Sequence, residues 1–172
     1  GWTARSLLQR ESDKYLENIM RPVPRDANVF LSFGSMDINF AAQRIANTRG
    51  NYDRNRFLET RINAIVRARD TLLRLGFNQV HAVLIAPVVD LPDAYWEELS
   101  VYNQLPAAIR AGLVCELAQE VGRKIPTINL LNDMITSLET PFAKAALVRS
   151  YFEHHVDYSA AQDIVWHGVK DI

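Results

Sequence analysis

The stretch Ala27-Asn28-Val29-Phe30-Leu31-Ser32-Phe33-Gly34-Ser35-Met36-Asp37-Ile38-Asn39 decides how this chain is read. Its first half is a β-branched and aromatic run, which fits a strand buried on both faces; its second half turns abruptly small and polar. In open α/β sheets, ligands gather beyond the carboxyl ends of parallel strands. A strand over 28–33 that runs into Gly34-Ser35-Met36-Asp37 therefore predicts a crevice floored by residues 34–39.

Two further apolar runs match the first. Residues 80–86 read as a second buried strand stopped by Pro87, and residues 125–130 as a third. Helical spacing fills the intervals. Thr3 is a candidate N-cap for a helix over 3–20, closed by Arg21-Pro22-Val23-Pro24. A short helix is expected around Phe40 to Ala46. Over 52–75, Phe57, Leu58, Ile62, Ile65, Val66, Leu72 and Leu73 alternate with arginines, and Gly76 stands where a C-terminal cap belongs. Residues 91–105 carry Pro92 and Trp96. Pro106 opens a helix that Gly122 caps, Thr140-Pro141 opens one reaching Phe152, and Ser159-x-x-Gln162 is a capping box for the last, through Trp166.

Strands alternating with helices of this length imply right-handed crossovers and a parallel sheet covered on both faces, in one α/β domain over 1–172. Three strands are few for such a sheet, and the chain opens on a helix. The expectation is a domain incomplete at its N-terminus, its first strand lying ahead of Gly1 or supplied by a partner chain.

Composition narrows the function classes. The 172 residues are 48% hydrophobic and 23% charged, which suits a packed core, and the net charge of -1 provides no general field for nucleic acid. The single cysteine, Cys115, closes no intrachain disulfide and is read as a buried thiol. No apolar run spans a bilayer, and the N-terminus lacks a signal-peptide pattern, so the expectation for this stretch is cytoplasmic, with removal of a leader left open. No cofactor is expected, and no metal-type Cys/His spacing occurs around Cys115.

If the sheet is parallel, Gly34 to Asp37, Pro87 to Asp90 and Leu131 to Asp133 emerge on one rim. A further polar cluster, Glu153-His154-His155-Val156-Asp157, precedes the last helix. Two histidines beside carboxylates suit a general base with an orienting acid, because the carboxylate fixes the imidazole tautomer and stabilises the cation formed on proton transfer. They also suit, and without further context suit better, the C-terminus of a helix, where the dipole favours cations. Gly34 and Asp37 likewise read either as chemistry or as a turn glycine and a helix cap. The arginines from Arg44 to Arg74 read as an anion site or as the solvated face of a long helix.

Phe33-Gly34-Ser35-Met36-Asp37 resembles the third block of the SGNH/GDSL hydrolase superfamily, Gly-x-x-Asn or Gly-x-x-Asp after a buried strand. Glu153-His154-His155-Val156 resembles its last block, and Gly1-Trp2-Thr3-Ala4-Arg5 is similar to the second. The similarity is greatest to the bacterial branch associated with surface polysaccharides. It implies a three-layer αβα sandwich of flavodoxin-like type in which a Ser attacks an ester. His155 would be the base and Glu153 the orienting acid. The Gly34 and Gly1 amides would hold the oxyanion, with Ser35 and His154 beside them. Asp37 stands where many members have Asn, and an ionised carboxylate has no proton to offer an oxyanion. The Gly-Asp-Ser nucleophile block has no match in the 172 residues.

Two functional classes follow from the resemblance. One is an esterase or O-acyl transfer domain acting on acylated carbohydrate, seen without its nucleophile segment. The other is a non-catalytic module that binds glycan or supports a larger polysaccharide-modifying protein, with Tyr95, Trp96 or Tyr151 as sugar platforms.

Overall fold

A computed structural model of the chain describes residues 3–49, 52–84, 87–150 and 152–172. The protein is mixed α/β, with strands β1 (Asn28–Leu31), β2 (Gln79–Leu84) and β3 (Thr127–Asn129) hydrogen-bonded in the order β1-β2-β3. Both pairings are parallel, Val29 lying opposite Val80 and Val83 opposite Ile128. The three expected strands are therefore present and parallel; β1 stops at Leu31 and β3 spans only Thr127–Asn129 of its run, and β1 is not buried on both faces as its run suggested, because Phe30 is exposed. Residues 85 and 86, the end of the second run, lie outside the described residues.

Around the sheet lie α1 (Arg10–Met20), α2 (Ala42–Arg49), α3 (Arg54–Arg74), α4 (Asp93–Glu98), α5 (Ala107–Gly122), α6 (Leu131–Met134) and α7 (Tyr158–Val169). Alternate side chains of a strand face opposite ways, and β2 shows the consequence. Val80 and Ala82 join one cluster with Phe57, Ile65 and Leu72 of α3 and with Leu113, Leu117 and Val121 of α5. Val83 turns the other way, to Met134, Leu147 and Ala161 of α7. Each fully buried Val, Leu, Ile, Phe or Met side chain here is worth roughly 1.5–3 kcal/mol.

The long arginine-rich helix ends as its glycine predicts. Gly76 takes a φ of 94°, its N–H donates to the Leu73 carbonyl, and the Phe77 N–H reaches back to Leu72. That is a Schellman closure, with Leu72 and Phe77 both buried beneath it. Gly122 departs from expectation, being the last helical residue of α5, with Arg123 following in right-handed backbone.

Three further expectations are corrected. The helix over 3–20 is interrupted, because Gln9 is extended between a 3₁₀ turn, Ala4–Leu8, and α1. The Ser12 hydroxyl satisfies the freed Leu7 carbonyl at 2.9 Å, and Thr3 makes no side-chain cap. Among the described residues no helix runs from Thr140-Pro141 to Phe152. Phe142 and Ala143 instead form single β-bridges to Val88 and Ile135, and only a 3₁₀ turn, Ala145–Leu147, comes after them. The cause is local: the Ser137 hydroxyl accepts from the Thr140 N–H at 3.1 Å and the Thr136 hydroxyl donates to the Thr140 carbonyl, a turn that competes with helix nucleation. Finally, Asp157 rather than Ser159 caps α7. Its carboxylate accepts from the Ser159 and Ala160 amides at 2.9 and 3.1 Å, so the helix begins at Tyr158.

Candidate functional site

With all three strands parallel, the segments that leave Leu31, Leu84 and Asn129 share one edge of the sheet. Beyond Leu31 the chain must turn sharply into a helix. Gly34 makes the turn with a φ of 121°, a conformation side chains resist, and a Cβ there would also meet Leu117 Cδ2 at 3.1 Å. The Ile38 N–H then donates to the Gly34 carbonyl, and a π-helical turn over Asp37–Ala41 leads into α2.

Two polar side chains of that turn point into the protein, each onto an arginine. Asp37 is 1% exposed; its carboxylate accepts from the Ala4 N–H at 2.6 Å and from Arg61 Nε at 2.9 Å. Arg61 is 3% exposed and lies over the Phe57 ring, 3.8 Å from its centroid. Burial pulls its guanidinium below the ordinary arginine value, and the Asp37 charge opposes that pull. Asn39 accepts from Arg110 Nη1 at 2.9 Å, and Arg110 in turn lies over Trp96. Burial lowers Arg110 to about 10, with Asp90 opposing. These anchors fix the loop bearing Ser35 and Met36.

Ser32, Ser35 and Met36 form one wall of a cavity of about 270 Å³. Pro87 beyond β2 and Met134 at the end of α6 form its base, Ala161 and Val165 of α7 the far wall, and His154, His155 and Val156 the remaining side. The histidine segment is pinned by a bridge between Val156 and Val148 and by the Asp157 N–H donating to the Leu147 carbonyl at 2.8 Å.

The two histidines, adjacent in sequence, differ in hydrogen-bond partner and in burial. His155 is paired with Glu153, whose Oε1 lies 2.6 Å from its Nδ1 and also accepts the His155 backbone N–H at 3.2 Å. That bond holds the Glu153 carboxyl below its usual range and assigns the ring proton to Nδ1, leaving Nε2 as the acceptor nitrogen. His154 is bonded through Nδ1 to the Tyr95 hydroxyl at 2.6 Å and lies edge-on to Phe40 with centroids 5.2 Å apart. Burial, and after it the neighbouring His155, lowers its pKa. The His154 side chain is 14% exposed against 42% for His155. Ligand-type atoms of Glu153, His154 and His155 lie within 4.8 Å of one another, the cluster here that would accommodate a metal ion.

The structure thus brings Ser35, His154 and His155 to one cavity, with Glu153 behind His155. Asp37 lies under that loop with its carboxylate turned to Ala4 and Arg61, Gly34 sits at the bend, and Gly1 lies outside the described residues. Tyr95 and Trp96, expected as sugar platforms, are 7% and 1% exposed and pack in the core; Tyr151 lies outside the described residues. Sequence reasoning missed Arg61, Arg110 and the tether from Tyr95 to His154. The available signal was Asp37 and Asn39 two residues apart inside an otherwise apolar segment.

No family model matches the chain, and neither a curated protein nor a solved structure matches it.

Proposed function

We propose that this cavity is the base-bearing half of an SGNH-type ester hydrolase or O-acyl transfer site for acylated carbohydrate, within a three-layer αβα sandwich of flavodoxin-like order. The observation that carries the reading is the 2.6 Å bond between Glu153 and His155 at a cavity on the carboxyl edge of a parallel sheet. Glu153 holds His155 with Nε2 free, the arrangement needed to draw a proton from an attacking hydroxyl and return it to the leaving alkoxide. Glu153 then stabilises the imidazolium in between. The Gly34 amide, with that of Gly1, is the oxyanion donor in this scheme. Asp37 is not, since both its oxygens are engaged in holding the loop. His154 is a packing partner of His155 rather than the base. The attacking serine in this scheme is that of the family's Gly-Asp-Ser block, which the 172 residues do not contain.

The test is a burst experiment with an activated aryl acetate, on this chain and on a form extended through an upstream Gly-Asp-Ser segment. The extended form should release a stoichiometric burst that His155→Ala abolishes, and the chain as given should release none. A burst from the chain as given that Ser35→Ala removes would place the nucleophile in the cavity wall instead. If no form turns over any acylated sugar but the chain binds glycan, the non-catalytic reading replaces this one.

A further inference from the structure

A second cavity, of about 720 Å³, opens between the 3₁₀ turn Ala4–Leu8, α2 and the first turns of α3, and shares no lining residue with the first. Arg5, Arg56 and Arg61 line it, and the carboxylate there is Asp53. The arginines of α3 divide sharply by what they touch. Arg54 pairs with Glu116, Arg61 with Asp37 and Arg67 with Asp13, while Arg69 donates to the Val80 carbonyl and Arg74 to the Thr71 hydroxyl. Arg56 is the exception: among the described residues its guanidinium has no hydrogen-bond or ion-pair partner, and the same holds for Arg5.

Two unpartnered guanidinium groups therefore face one cavity whose floor holds a third. Asp53 offsets only one of these two unpaired charges, its Oδ1 also capping α3 through the Arg56 N–H at 2.9 Å. That bond satisfies one amide at the start of α3, and the guanidinium side chains carry the recognition. Arg5 lies near enough to Arg61 that, after burial, its charge helps hold Arg61 below the ordinary arginine value. Like charges gathered around a concavity are unfavourable without a counter-ion and become favourable with a dianion. Guanidinium forks match phosphate oxygens two at a time. The volume lies within the range of small-molecule sites and far exceeds one phosphate ion, and Leu8, Ile45 and Phe57 supply apolar wall for a carbon skeleton.

We propose that this cavity binds a phosphorylated small molecule of sugar-phosphate size, its phosphate held between Arg5 and Arg56 above Arg61. The site is independent of the ester-hydrolysing reading. Arg61 is a positioning residue here, oriented by Asp37, and it is left intact in the test because its removal would disturb the fold.

The test is calorimetric titration with glucose 1-phosphate, inorganic phosphate and glucuronate at two salt concentrations, on the unaltered chain and on Arg5→Gln, Arg56→Gln and Arg44→Gln. Arg44 is exposed on α2 outside the cavity, and circular dichroism checks that each variant is folded. Glucose 1-phosphate should bind saturably, more tightly than phosphate or glucuronate, and more weakly at higher salt. Arg5→Gln and Arg56→Gln should each weaken it about tenfold or more, and Arg44→Gln should leave it unchanged. Absence of saturable binding up to about 10 mM would overturn the proposal. So would binding that survives both cavity substitutions, or glucuronate binding as tightly as the sugar phosphate.

Discussion

Replacing Asp37 by Ala should destabilise the protein more than any substitution at the cavity surface. The side chain is 1% exposed and supplies two acceptors, one to the Ala4 N–H and one to an Arg61 guanidinium that is itself 3% exposed. Removing one partner of a buried ion pair costs about 3–5 kcal/mol, because the survivor keeps its charge without water. The orphaned Ala4 amide would by itself cost about 1–3 kcal/mol, and since the two losses share one site they do not add in full. A total near 4 kcal/mol would lower Tm by about 8–16 °C in a chain of this length. Urea unfolding followed by circular dichroism measures it directly. The double variant Asp37→Leu with Arg61→Met removes both charges and keeps the volume, so it should recover all but the Ala4 contribution. A loss below about 1 kcal/mol in Asp37→Ala, or a double variant weaker than the single, would refute the claim that this pair anchors the loop.

Gly34→Ala should lose about 1–3 kcal/mol, since it combines a φ of 121° with a Cβ contact of 3.1 Å to Leu117; an unchanged urea midpoint would contradict the strain. His154 brings a pH dependence. Its folded-state pKa is depressed, so the unfolded chain binds the proton more readily, and stability is full above the unfolded value of about 6.5 and falls on acidification below it. The urea midpoint should therefore drop between about pH 8 and pH 5.5, still above the carboxylate range, and His154→Phe should flatten that slope.

The sheet was legible because each strand is a local apolar run bounded by turn residues, and α3 because its period of apolar positions ends on a glycine that a Schellman closure requires. The segment after Thr140 was misread for an equally physical reason. Pro141 in a first-turn position and the apolar Phe142, Ala143 and Leu147 suit a helix as well as an extended path, and hydroxyl bonds among Thr136, Ser137 and Thr140 decide between them. At the site, the two histidines could not be told apart from their own neighbourhood. What separates them is Tyr95, 59 residues away, which takes His154 out of play and leaves His155 with Glu153. The position of Asp37 was visible but its partner was not, because Arg61 lies about two turns inside a helix among arginines that a sequence does not distinguish.

The π-helical turn has a consequence for how this chain can vary over generations. Asp37 and Asn39 meet Arg61 and Arg110, which belong to different helices, so four positions scattered over 37–110 change under joint constraint. Loss of an arginine alone leaves a buried polar group unanswered, whereas an apolar pair of similar volume can replace an acid and a base together. Descendants of one ancestor would thus exchange Asp37 with Arg61 as a couple, even while the exposed residues about the cavity drift. Kinship between distant chains of this fold would survive in that coupled pair longer than in any short motif at the cavity.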